Sequence, residues 1–251
     1  MISIGDYGRS VAVETAFWLA GFDDQACPLQ EAGKLGRELE RNFRTLAILA
    51  LLANADSNLY CHHLIRSGMI RLAYLRKVAA QGAMDTAYYA TWGRNEAVLA
   101  FVAAGSFPLV RDLVALSPRE FRRGMEYEDD HCYYRLIANL AVDGAADERE
   151  ALFERYAAYL GDDPTTRLDL VRSLASNDPE AFLESFEALL HERAAALAAR
   201  EAKGELETVH SVVEKAVWIE AVALLRLAEA RGFPTDCEYR FVPSIARAPM
   251  L

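Results

Sequence analysis

Apolar residues recur along this chain at three- and four-residue intervals and almost never alternate strictly, which is the pattern of amphipathic helices rather than strands. The spacing predicts a first helix over about 10–20, containing Phe17 and Trp18 and ending at Gly21. A second begins after Pro28, carries Leu35, Leu39, Phe43, Leu46 and Leu49 inward with Lys34, Arg37, Glu40 and Arg44 outward, and ends near Asn54. Ser57 is placed to cap a third that runs to about Ala80. A fourth, over about 85–104, aligns Tyr88, Trp92, Asn95, Leu99 and Val102 in one stripe, more naturally core than ligand box.

Ser117-Pro118, Asp163-Pro164 and Asp178-Pro179 each pair a capping residue with a proline at the first helical position, and Asp147 with Glu150 reads as a capping box. Helices are predicted at about 128–142, 148–160, 164–175 and 179–202, joined by loops short enough to make neighbours antiparallel.

The last long helix, predicted over about 207–231, changes character along its length. Early on, Glu207, Thr208, His210, Ser211, Glu214 and Lys215 share one arc opposite Val209, Val212, Val213, Ala216 and Val217. Further along, Trp218, Val222 and Leu225 occupy the formerly polar arc, so this half must be covered on all sides and belongs at the centre of the molecule. Glu220 breaks the pattern, because it falls among Val209, Val213, Ala216, Leu224 and Leu227. A carboxylate there needs a cationic or hydroxyl partner from another helix. Arg94, on the predicted helix of Trp92, is the candidate, and a structural anchor is the simpler role for the pair.

The resulting expectation is all-α: one irregular bundle of about ten helices over 1–251 with no significant sheet, helix 207–231 central and 232–251 a tail. Regular repeats are not expected, since the two Asp-Pro starts lie too close for a helical-hairpin repeat. Composition agrees, with 53% hydrophobic residues in 251 and no composition shift dividing the chain.

Net charge is −10, which gives no basic field for nucleic acid or an anionic membrane and would steer a cationic protein partner inward. The four cysteines, Cys27, Cys61, Cys132 and Cys237, show no metal or disulfide spacing and suit a reducing compartment. The N-terminus lacks the layout of a signal peptide, and no apolar run approaches the length of a membrane span, so a cytoplasmic protein is expected.

Phosphate loops, dinucleotide fingerprints, nucleophile elbows and zinc helices are missing. Glu128-x-x-His131 and Glu207-x-x-His210 have the carboxylate–imidazole spacing of di-metal helical bundles, but both lie near predicted helix starts, where solvated helix ends explain them better. His62-His63 beside Cys61, and His131 beside Cys132, point about 100° apart on a helix and make no dyad. No catalytic residue, metal or cofactor is expected.

Towards the C-terminus the run Asp178-Pro179-Glu180-Ala181-Phe182, with Leu189-Leu190-His191, the apolar stretch 216–228, Gly232-Phe233-Pro234, an acidic residue, Tyr239 and Pro243, is similar to the immunity protein 49 family. The acidic-aromatic run from Tyr127 to Tyr134 fits the same pattern, while Tyr239-Arg240-Phe241-Val242-Pro243 is longer than the family's Tyr-Leu-Pro ending. The resemblance implies an all-α, non-enzymatic protein that binds and neutralises one cognate secreted bacterial toxin in the cytoplasm of the cell that makes it. A helical adaptor and a di-metal enzyme are the competing readings. On the immunity reading a basic toxin domain would meet Glu126, Glu128, Asp129, Asp130, Asp147, Asp162 and Asp163, with Tyr127, Tyr133 or Tyr134 as aromatic anchors. Capping of helix N-termini is the structural alternative for those acids.

Overall fold

A computed structural model describes residues 4–163 and 165–250. Among them the regular structure is helical, with only isolated bridges between Arg123 and Glu126 and between Tyr239 and Val242, so the all-α expectation holds. The α-helices are α1 (Ile4–Asp23), α2 (Leu29–Asn54), α3 (Ser57–Ala80), α4 (Ala97–Ala103), α5 (Phe107–Leu116), α6 (Glu128–Ala141), α7 (Ala146–Leu160), α8 (Thr166–Ser176), α9 (Pro179–Ala202), α10 (Val209–Glu214) and α11 (Ile219–Ala230). No described helix is long and apolar enough to cross a membrane.

α2 and α3 form the longest antiparallel pair, with α1 and α10 laid against α2. α4 lies inside: every one of its residues is buried, and it meets α3 on one side and α11 on another. α3 approaches it so closely that a Cβ on Gly68 would stand 2.4 Å from the Phe101 ring, which reserves that position for glycine. α6–α7 and α8–α9 complete the molecule as antiparallel pairs. One connected apolar core runs through these elements from Phe22 to Ala246.

Several predicted boundaries shift, for local reasons. α1 continues through Gly21, and the third helix is capped by Asp56, whose side chain accepts from Leu59 N at 2.8 Å, rather than by Ser57. The predicted helix over 85–104 is a helix only in α4; before it stand 3-10 turns at Tyr88–Ala90 and Trp92–Arg94. Buried Arg71 of α3 explains this, because it donates to the carbonyls of Tyr89 and Thr91 that a helix would have used internally. Ser117-Pro118 follows the unpredicted α5 instead of opening a helix: Ser117 is its C-cap, with its N–H on Leu113 O at 3.0 Å.

Asp147 sits inside the first turn of α7 without a capping bond, so the Asp147–Glu150 box is not formed. Thr165 rather than Asp163 caps α8, accepting from Leu168 N at 3.2 Å, and the Pro164 half of that predicted start lies outside the described residues. Asp178-Pro179 caps α9 as expected, with Asp178 Oδ1 accepting from Ala181 N at 3.1 Å.

The largest departure is the last predicted helix, which divides into α10 and α11 with a bend over 215–218. Trp218 is extended (φ −107°, ψ 104°), and its N–H leaves the helix to reach Phe241 O at 2.9 Å. The tail that supplies this acceptor is itself fixed, with Arg247 paired to Glu229 and donating to Asp236 O at 2.6 Å. α11 is the covered half, its residues buried from Ile219 through Leu225 and again at Leu227 and Ala228.

Candidate functional site

The bend between α10 and α11 opens a cleft of about 220 Å³. Its walls come from Arg44, Thr45 and Ile48 of α2, Glu96 and Leu99 at α4, Tyr134 of α6, Arg167 of α8, Arg193 of α9 and the segment from Glu214 to Glu220. Three arginines and three glutamates thus face one small space.

Glu220 is 7% exposed and lies in the first turn of α11, where the helix dipole favours a negative charge. Its Oε1 accepts from Arg167 Nε at 2.8 Å and from the Tyr133 hydroxyl at 2.9 Å, and its Oε2 accepts from Arg167 Nη2 at 2.8 Å. The two parallel Arg–carboxylate bonds give fork-to-fork geometry, and the third donor leaves little unsatisfied. Burial alone would lower the Arg167 pKa, but the Glu220 carboxylate overrides it and holds the guanidinium charged. The same guanidinium stacks 4.8 Å from the Tyr133 ring centroid.

Arg94, the partner expected for Glu220, is elsewhere. It stacks on Tyr88, 3.9 Å from the ring centroid, and donates to that hydroxyl. Extended Thr91 separates the 3-10 turns at Tyr88–Ala90 and Trp92–Arg94, and this fold of the segment brings Arg94 onto Tyr88 and not to Glu220. Arg167, 53 residues upstream of Glu220, fills the role.

The second ion cluster on the wall is centred on Glu96, whose Oε2 accepts from Arg44 Nη2 at 2.6 Å and whose Oε1 lies 3.6 Å from Arg37. Arg44 holds its pKa below the ordinary carboxylate value. Behind it, burial pushes Glu40 up. Thr45 and His210 share a hydrogen bond at 2.7 Å, which ties α10 to α2 beside the cleft.

Beside the cleft lies the acidic end of the α6–α7 pair. These helices are antiparallel, as Arg155 on Glu128 at 2.6 Å and Arg135 on Glu148 show at their two ends. Glu128, Asp129 and Asp130 at the start of α6 therefore share an end with Asp162 and Asp163 after α7, and Asp130 joins this end to the cleft through Arg167 Nη1 at 3.6 Å. Burial, aided by Asp129, pushes the Asp130 carboxyl up to about 6. Tyr127, the N-cap of α6, is 72% exposed, and Tyr159 in the last turn of α7 is 50% exposed.

Other residues expected on this surface are not there. Tyr133 and Tyr134 are 0% and 7% exposed because they follow the acidic run onto the inward arc of α6, so neither can anchor a partner as an exposed ring. The Glu126 side chain is fully buried, accepting from Gly93 N at 2.6 Å and Arg122 N at 3.0 Å and facing His131 Nδ1 at 3.2 Å. Burial would lift its pKa, but those hydrogen bonds hold it below the ordinary value. Asp147 is exposed, but at the opposite end of α7, beside Glu148.

The histidines of the two Glu-x-x-His pairs are engaged separately, His131 with Glu126 and His210 with Thr45, and no group of three or more metal-ligand side chains occurs among the described residues. The family model for Immunity protein 49 matches residues 29–246. The chain belongs to the immunity protein 49 family. No curated protein and no solved structure matches it. Membership implies neutralisation of a cognate toxin, a binding role rather than turnover. The matched span takes in every residue lining the cleft and the acidic end, while α1 precedes it. Arg167 and Arg193 had no mark in the sequence beyond the demand that Glu220 find a cation, Trp218 was expected only as covered apolar surface, and Arg44 and Glu40, expected outward, turn inward with side chains 17% and 5% exposed.

Proposed function

We propose that this immunity protein captures a basic toxin domain by direct contact, in the cytoplasm of the cell that makes the toxin, using the acidic end of α6–α7 as its first point of encounter. The observation that carries the reading is Tyr127, which stands 72% exposed beside Glu128, Asp129 and Asp130 and at the same end as Asp162 and Asp163. Asp162 and Asp163 are exposed and Glu128, Asp129 and Asp130 half-buried; acids so placed steer an oppositely charged partner and raise its association rate, and an exposed aromatic side chain beside them gives the complex its lifetime. The net charge of −10 acts in the same direction over longer range.

Replacing Glu128, Asp129, Asp162 and Asp163 together by their amides should slow association with the toxin about tenfold at low salt and flatten its salt dependence. The thermal melt should move little, since among the described residues Glu128 alone of these has an ion pair, which is partly exposed, and the buried Asp129 Oδ1 makes no hydrogen bond that its amide would lose. Binding kinetics at two salt concentrations are the measurement, and an association rate unaltered by the fourfold change would refute the assignment of this surface.

A further inference from the structure

The cleft has more hydrogen-bond donors than its own acceptors use. Glu220 is saturated by Arg167 and Tyr133, and Glu96 is held by Arg44. Arg193 has no carboxylate within ion-pair reach among the described residues: its Nη2 makes one long bond to the Glu214 carbonyl at 3.4 Å, and its Nε has no hydrogen-bond partner. Arg44 Nη1 also has none, lying 4.0 Å from the nearest Glu40 oxygen. The Tyr134 hydroxyl and the Trp218 indole N–H, both on residues that line the space, make no hydrogen bond among the described residues. Trp218 also offers its ring face to Arg193, 5.1 Å from the guanidinium carbon, which holds that side chain against the cleft wall.

Donors left without an acceptor in a half-enclosed site are the costly state, and a group that accepts several hydrogen bonds at once relieves it. A carboxylate offers about four acceptor positions and takes an arginine fork in parallel. At about 220 Å³ the space is smaller than the pockets that hold cofactors and suits a single side chain. Resting on the family's toxin-binding role, we propose that the cleft receives one acidic side chain of the toxin, clamped by Arg193 with Tyr134 and Trp218 as further donors. The acidic end and the cleft then divide the labour: the first attracts a partner of positive charge, and the second admits one carboxylate of that partner in one orientation, which a merely basic protein does not supply. Glu214 lines the same wall with a carboxylate that has no hydrogen bond among the described residues, so a cationic side chain is the alternative that a test must separate.

Affinity of the toxin domain for the wild-type chain, Arg193→Gln, Arg193→Lys and Glu214→Gln, each with its melting temperature, makes that separation. Arg193→Gln should weaken binding about 30-fold or more, mainly through faster dissociation, with an unchanged melt. Arg193→Lys keeps the charge without the fork and should fall between Arg193→Gln and wild type. Glu214→Gln should bind as well as wild type. Replacing the toxin's surface acids one at a time by amides should find one whose loss matches that of Arg193→Gln and adds nothing to it in combination. Equal affinity of Arg193→Gln and wild type, weakening by Glu214→Gln instead, or no such acid on the toxin would each overturn the proposal. Failure of the amide variants of the acidic end, with these results intact, would sink only the encounter surface, whereas a wild-type chain that does not bind the toxin would end both.

Discussion

Glu220 and the Asp162–Asp163 pair belong to the same chemical class and have opposite fates. Glu220 has three donors at 2.8–2.9 Å and is almost out of water, so its charge is spent inside the molecule, joining α11 to α8 and α6. Asp162 and Asp163 stand exposed between α7 and α8, with their charge available to whatever approaches. A net charge of −10 therefore overstates what a partner meets at some places and describes it fairly at others. Asp130 is the intermediate case, paired loosely with Arg167 on the inner side and grouped with Asp129 on the outer.

The contrast predicts where substitution is felt. Glu220→Leu should destabilise by about 3 kcal/mol, because it strands the Arg167 guanidinium and removes the Tyr133 acceptor, the low end of the range for a broken buried pair since Arg167 keeps some access to water. Adding Arg167→Met to it should recover most of the loss in denaturant unfolding. Recovery would show that the cost lies in the stranded charge and not in the packing of α11.

At the exposed extreme, Tyr127→Ala should leave the melt within about half a kcal/mol of wild type, as surface changes do, while speeding toxin dissociation by about tenfold. Surface plasmon measurements of dissociation check it; an unchanged rate would make Tyr127 a bystander. Asp130 sharpens the boundary between the two regions. Its carboxyl is raised from 3.8 to about 6, so the folded state holds a proton that the unfolded state has released. The resulting stabilisation is complete below about pH 4 and lost as pH rises through about 6. Asp130→Asn should therefore gain about 1 kcal/mol on wild type between pH 4 and pH 7, reduced from the full linkage value because the side chain is partly solvated. Unfolding free energies at those two pH values are the test.

Legibility in the sequence followed the range of the interactions. Helical periodicity marked α2, α3, α6, α7, α8 and α9 because each has its own apolar arc, and Asp178-Pro179 marked a start because cap and proline act within one turn. The placement of Glu220 on an apolar arc was enough to demand burial and a partner. What was illegible depended on distant residues. Arg71 takes the carbonyls of Tyr89 and Thr91 and so suppresses a helix 18 to 20 residues away. Phe241 breaks a helix at Trp218, where no glycine or proline announces a stop. The run from Glu126 to Tyr134 looked like one acidic-aromatic face, yet a helix distributes consecutive residues around its axis, leaving Tyr127 outside and Tyr133 and Tyr134 within. The cleft was illegible altogether, since its walls meet only after α2, α4, α6, α8, α9 and α11 have docked.

The bond from Trp218 N–H to Phe241 O also orders events in time. A chain emerging from the ribosome has every element around the cleft available before residue 241, yet the bend that places Trp218 on the wall has no acceptor until that residue appears. Completion of the wall thereby waits on a residue made well after the bend itself. Nascent chains stalled before Phe241 should carry most of their helices and still lack the finished cleft wall.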